Sequence, residues 1–146
     1  MSEETPEAHS HVVIPDPVRD VYLMVIASML EDDKTDRSAL SVTLQVGGAL
    51  VTGELISHSR WRGEFKAWLA TIGGSSDVIS GAVDAVEDVL AEQDSARRLQ
   101  FLHLRDAKFI TNYAGSMQGI APQGPERPLW RARISDVQGW SLGRPQ

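Results

Sequence analysis

The sequence predicts an α+β domain: an antiparallel sheet with an N-terminal helix and two helices inserted after the second strand. Three observations carry this. Between Ser41 and Ser57 two alternating runs meet at Gly47-Gly48, with Val42, Leu44 and Val46 on one face and Thr43 and Gln45 on the other, which is the pattern of a β-hairpin. From Ser57 to Leu90 the apolar spacing changes to that of helices. From Leu99 the period returns to two, so the order is helix, hairpin, two helices, further strands, and helices gather on one face of an antiparallel sheet.

Composition sets the limits. A chain of 146 residues fits one domain and can bury a core without cross-links. It has no cysteine, which excludes a disulfide framework, a thiol nucleophile and a thiolate metal site. The net charge of −6 is uneven: residues 1–36 hold nine acidic and two basic side chains, a balance of −7, and residues 37–146 balance at +1. A nearly neutral body beside an acidic arm disfavours nucleic acid as a partner, since phosphate binding shows as a basic excess. The acidic start, MSEETPEAHSH, lacks the positive charge and apolar run of a secretory leader. The longest apolar run, Val21 to Ala27, falls far short of the roughly 20 residues that cross a bilayer. The expectation is a cytoplasmic protein with no membrane segment.

Residues 1–15 are polar and without periodicity and read as a mobile arm, leaving 16–146 as the domain. Asp16-Pro17 supplies an N-cap and a first-turn proline for the first helix. Val18, Val21, Tyr22, Val25 and Met29 make one stripe, and Leu23, Met24, Ile26 and Leu30 leave little of the circumference polar. A helix apolar nearly all round is covered on two sides. One side meets the sheet, and Val21, Leu23, Val25, Ile26 and Leu30 are the expected contact with another subunit. The acidic stretch 31–38 reads as a turn before the hairpin.

Ser57 caps the second helix, whose stripe is Trp61, Phe65, Trp68, Leu69 and Ile72, and Gly73-Gly74 ends it. Asp77 caps a third helix with Ile79, Ala82, Val83, Val86 and Leu90 inward and Asp84, Glu87 and Asp88 outward. Phe101 to Leu104 and Lys108 to Ile110 read as strands. Residues 114–128, with three glycines and three prolines, read as a long loop. Leu129 to Ile134 and Gln138 to Leu142 supply closing strands.

No constellation nominates an acid, a base or a nucleophile. His9 and His11 offer two ligands in a floppy segment, too few to hold a metal against the entropy of ordering it. His103 reads as structural, and Arg105-Asp106 as a solvated strand end. The glycine-rich places match no phosphate cradle. Arg60-Trp61-Arg62 with Lys66 and Trp68, and Trp130-Arg131 with Arg133, interleave cations and aromatics. Three readings fit them: a single-strand nucleic-acid groove, core tryptophans with solvated arginines, or a protein interface, where Trp and Arg are enriched. Arg60, Arg62, Trp130, Arg131 and Arg133 are the candidate partner-binding residues. No catalytic residue, metal or cofactor is expected.

Three segments in order, Val46-Gly-Gly-Ala-Leu-Val-Thr-Gly-Glu-Leu-Ile-Ser57, Phe101-Leu-His-Leu-Arg-Asp-Ala-Lys-Phe109 and Leu129-Trp-Arg-Ala-Arg-Ile-Ser-Asp-Val-Gln-Gly-Trp-Ser-Leu-Gly143, resemble the gas vesicle accessory protein GvpU family. The resemblance runs from about Leu40 to Arg144. It implies a non-enzymatic protein of gas-vesicle-forming cells that helps govern how the buoyant shells cluster or assemble, with itself and shell proteins as partners. By analogy, the helix, bent hairpin and strands ending in Arg-x-x-Ile are also similar to Sm-like small barrels, which form rings. An Sm-like nucleic-acid-binding module is therefore the alternative expectation, one that fold alone does little to support.

Overall fold

The computed structural model describes residues 19–35, 37–72, 76–91, 100–113, 116–120 and 128–144. Their elements follow in the order α1 (Val21–Glu31), β1 (Leu40–Val46), β2 (Ala49–Ile56), α2 (His58–Ile72), α3 (Ser76–Ala91), β3 (Phe101–Tyr113), β4 (Ser116–Ile120), β5 (Trp130–Arg133) and β6 (Val137–Leu142), with a 3-10 turn at Ile134–Asp136. The α+β class, the N-terminal helix and the helices inserted after the second strand are those expected from the sequence.

The sheet is antiparallel throughout. Its order is β4-β3-β2-β1-β6, and β5 also pairs with β3. The hairpin closes at Gly47-Gly48 with Val46 opposite Ala49, and Gly47 has the positive φ of 59° that the tight turn needs. The first four residues of β3 and the last five do different work. Residues Phe101 to Leu104 pair with β5, whereas Phe109 to Tyr113 pair with β4.

The path β5-β3-β2-β1-β6 places β5 and β6 at opposite ends, yet only Ile134–Asp136 separates them in sequence. Five strands laid flat would hold those ends about 19 Å apart, and a 3-10 link of this length advances only about 8 Å. The sheet must therefore curl into a half-barrel. Two bulges bend it: in β6 Gln138 falls between the pairs Gln45–Gly139 and Val46–Val137, and in the middle of the sheet Gly53 faces both Asp106 and Ala107 while Thr52 pairs with Lys108 and Glu54 with Arg105. Asp106 takes the left-handed conformation, φ 51°, and the Ala107 N–H leaves the ladder to donate to the Pro128 carbonyl at 3.1 Å. Gly53 is required by close approach, since a Cβ there would lie 3.0 Å from the Arg105 carbonyl oxygen.

The concave face holds the core. Val42 and Leu44 of β1, Val51 and Leu55 of β2, Leu102, Leu104 and Ala107 of β3 and Ile134 pack with Leu23, Ala27 and Leu30 of α1. Trp130, Trp140, Phe109, Met24 and Ile26 lie half-buried around them. On the opposite face lies α2, and Ile56 of β2 and Leu69 of α2 are both buried, so the helices are divided between the two faces instead of gathered on one.

Several expectations are corrected. The cap of α1 is Asp20, whose carboxylate accepts the Leu23 N–H at 3.0 Å, and the described helix starts at Val21. Asp16, Pro17, Val18 and the arm 1–15 lie outside the described residues. The stripe Val21, Tyr22, Val25 and Met29 points to solvent, and Leu23, Ala27 and Leu30 make the buried one. β3 runs on to Tyr113, beyond the expected strand end at Ile110, and within the stretch 114–128 read as a loop β4 forms at Ser116–Ile120. An edge strand is held by backbone pairing, which does not require an apolar alternation in its sequence. Gly73-Gly74 lies outside the described residues, just past the end of α2.

Gly53→Ala forces the bulge to shift. It is expected to lower stability by about 1–3 kcal/mol, read as an earlier denaturant midpoint with unchanged far-UV circular dichroism.

Candidate interaction surfaces

The convex face under α2 is polar where a convex face could have been oily. Ser57 caps α2, its hydroxyl accepting the Arg60 N–H at 3.1 Å, and Glu31 at the end of α1 accepts the His58 N–H at 2.6 Å. These two bonds fix the start of α2 against the end of α1. One turn further, α2 presents Glu64 over the sheet. There the buried Arg105 of β3 donates to Glu54 of β2 at 2.6 Å and to Glu64 at 2.9 Å. Burial opposes the charge of Arg105, but the bonds and charges of the two carboxylates outweigh it and hold its pKa above the usual value. The Arg144 guanidinium adds a distant contact with Glu54 at 4.0 Å. The reading of Arg105 as a solvated strand end is thus overturned: it bolts two strands and a helix together.

Beside this triad His103 is 4 % exposed. Its ring lies 4.7 Å from that of His58 and 5.4 Å from that of Trp61. The Nε2 of His103 and the Nε1 of Trp61 are buried without hydrogen-bond partners. Arg131 of β5 stacks its guanidinium 4.1 Å from the Phe101 ring centre and 5.8 Å from that of Trp61. Burial, then the neighbouring His58 and Arg131, push the pKa of His103 down to about 2. His58 shifts in the same direction, by burial and by Arg131 and Arg62.

The five candidate partner-binding residues do not converge. Arg60 reaches back to the Arg37 and Ser38 carbonyls at 3.0 and 3.4 Å. Arg62 pairs with Glu87 of α3. Trp130 lies against the core, edge-on to Phe109, and Arg131, its neighbour, projects to the other face of β5. Arg133 pairs with Asp136 at 2.9 Å. Of the four arginines only Arg131 joins an aromatic cluster, and its company is Trp61, which the sequence had singled out, with Phe101 and His58, which it had not. A register in hand would have shown it, because His103 pairs with Arg131. Among the described residues no group of three or more His, Asp or Glu gathers as a metal site. His9 and His11 lie outside them.

Of the expected subunit contacts, Leu23 and Leu30 belong to the chain's own core and Ile26 is half-buried against it. Val21 and Val25 remain at the surface with Tyr22 and Met29, these four being 51 to 78 % exposed. A second apolar row was not anticipated as a surface. In α3 the Asp84 carboxylate meets Lys66 of α2 at 2.6 Å and Glu87 meets Arg62. These pairs turn the charged side of α3 toward α2 and leave Val78, Ile79, Val86 and Val89 41 to 76 % exposed. Of the residues expected to face inward, Val83 and Leu90 are half-buried while Ile79, Ala82 and Val86 are exposed; Asp84, Glu87 and Asp88 are exposed as expected, the first two in ion pairs with α2. No helix among the described residues is long and apolar enough to cross a membrane.

A histidine with a lower pKa folded than unfolded binds fewer protons when folded. Acid therefore favours the unfolded chain, and stability is complete above about pH 6.5 and falls below it. The expected slope on acidification approaches about 1.4 kcal/mol per pH unit for each such proton. His103→Leu should remove the larger share of that slope between pH 6.5 and 5, measured by urea denaturation at each pH.

No curated protein and no solved structure matches the chain. A protein-family model, described as gas vesicle protein GvpU-like, matches residues 20–145, from the cap of α1 to just past β6. Because that match takes in the capped helix, the curled sheet and the inserted helices together, the chain belongs to the GvpU-like family of gas vesicle proteins.

Proposed function

We propose that this protein is a non-enzymatic, self-associating adaptor that clusters gas vesicles or helps assemble them, working in the cytoplasm at the vesicle surface. The observation that carries this reading is the row Val21, Tyr22, Val25 and Met29, which a capped and well-seated helix holds out to solvent. Apolar side chains gathered on one helix face mark contact surfaces rather than ordinary exteriors. The rest of α1 is anchored by Leu23, Ala27 and Leu30, so the row is presented rigidly and little ordering entropy opposes docking.

The mechanism is multivalency. A gas vesicle presents the same shell subunits many times, and a particle with several identical weak contacts can hold two such surfaces together. Overall affinity then exceeds that of a single contact by about 10²-fold or more. Membership of a gas vesicle family supports taking the shell as that repeated partner. The ionic triad and the buried histidine serve this role as structure: they set the position of α2 without any turnover chemistry.

Purified protein mixed with bare vesicles is expected to aggregate them and to float with them. Val25→Asp replaces a side chain that the single chain leaves about half exposed, so it should fold and stay soluble while clustering falls sharply. A wild-type protein that leaves vesicles dispersed and does not float with them overturns the proposal.

A further inference from the structure

We infer that α2 and α3 form a latch on the convex face, which swings off the sheet as one unit in mild acid while α1 and the sheet keep the core folded.

The two faces of the sheet are sealed by opposite means. On the concave side α1 contributes Leu23, Ala27 and Leu30, all apolar, to the core. On the convex side the buried residues are Ile56 and Leu69 together with the polar His103 and Arg105. Among the described residues, buried side-chain polar atoms without a hydrogen-bond partner belong to Trp61, Arg62 and Glu64 of α2 and to His103 of the strand beneath it. Such atoms have given up hydration for nothing in return, and opening restores it. The layer under α2 therefore parts more readily than the apolar core.

The parts of the latch are distinct. β2 passes into α2 through Ser57 alone, which makes that residue the hinge. α3 travels with α2, its principal neighbour, through the pairs Glu87 with Arg62 and Asp84 with Lys66. Glu64 is the bolt, since it reaches from α2 to Arg105 on the sheet. Glu54 lies on the sheet itself, so Arg105 keeps a carboxylate partner when α2 leaves.

Charge makes the seam sensitive to acid. Facing the His103 ring are His58 of α2, 4.7 Å away between ring centres, and Arg131 of β5, its register partner. Arg62 of α2 acts on His58 as well. The carboxylates around them are engaged: Glu54 of β2 and Glu64 of α2 with Arg105 of β3, Glu87 of α3 with Arg62, Asp136 with Arg133 of β5, and Glu31 of α1 with the His58 N–H. Asp106 at the bulge is engaged too. A proton on either ring meets cations. Closed, His103 has a pKa of about 2, and opened it returns to the ordinary 6.5. The open form thus binds more protons below pH 6.5, and acid draws the latch open. His58 acts in the same direction. Because α3 leaves with α2, the exposed row Val78, Ile79, Val86 and Val89 then loses its fixed position relative to the row on α1.

The test is hydrogen exchange of the full chain, read by mass spectrometry on peptides from each element and corrected for the intrinsic rate at each pH. Amides of α2 and α3 are expected to share one opening constant, about tenfold or more above that of α1, β1 and β2. That constant should rise about 30-fold from pH 7.5 to 5 through His103 alone. Low urea should speed exchange in β1 and β2 more steeply than in α2 and α3, because partial opening bares less surface than complete unfolding. His103→Leu should remove most of the rise with acid. Equal protection of α2, α3 and the central strands, one urea response for all of them, or a wild-type opening constant that does not rise between pH 7.5 and 5 overturns the inference. These three readings need only the wild type, so they decide the matter even where His103→Leu folds poorly. A folded His103→Leu that keeps the full rise overturns it as well.

Discussion

The fold hangs on a closure constraint. β5 and β6 bind opposite ends of one strand path and are joined by a single 3-10 turn, Ile134–Asp136. No flat sheet satisfies both pairings, so curvature is forced, and the ladder breaks register at two places, Gln138 in β6 and the point where Gly53 faces two residues of β3. At that bulge β3 changes partner from β5 to β4, the Ala107 N–H turns to Pro128, and Asp106 takes a conformation that side chains seldom adopt. The concave core follows from it. Ile134, inside the closing turn, is fully buried, and its N–H donates to the Gln100 carbonyl at 2.8 Å, tying the turn to the start of β3.

Curling exposes a convex face that a helix must cover, and α2 covers it with mixed chemistry. Leu69 and Ile56 supply the apolar part, while Arg105 between Glu54 and Glu64 supplies the polar part. A buried ion group of this kind is weak evidence for stability and better evidence for position, because its geometry tolerates little sliding of the helix. Glu31 and Ser57 fix the first turn of α2, and the triad fixes the next. Since α3 is attached to α2 by charge pairs, the direction of its apolar side is inherited from the same framework.

That inheritance connects fold to role. The chain belongs to the GvpU-like family of gas vesicle proteins, and it carries two outward apolar helix rows on a sheet-backed body. Neither row comes from loose structure. α1 is capped by Asp20 and anchored by three core side chains, and α3 is clamped by two ion pairs. Rigid presentation of apolar surface favours association over collapse, since little flexibility is lost when a partner arrives.

By itself the sequence determined the element types, the hairpin at Gly47-Gly48, the Ser57 cap, the apolar stripes of the first two helices and, through three segments spread over a hundred residues, the family. These are local: turn chemistry, capping and periodicity operate within a few residues, and the motif segments keep their order along the chain. Tertiary structure decided the rest. Arg105 looked solvated until β2 and α2 brought Glu54 and Glu64 to it. His103 and Arg131 met through β3–β5 register, and β4 arose from edge pairing that leaves no apolar pattern. Most of all, periodicity shows that a helix has an apolar side, but not which way that side turns. In α1 the neighbours chose Leu23, Ala27 and Leu30 over Val21 and Val25, and in α3 Val83 and Leu90 are half-buried while Ile79 and Val86 of the same expected stripe stand in solvent. Orientation is a property of the contact between elements, which an isolated stripe does not carry.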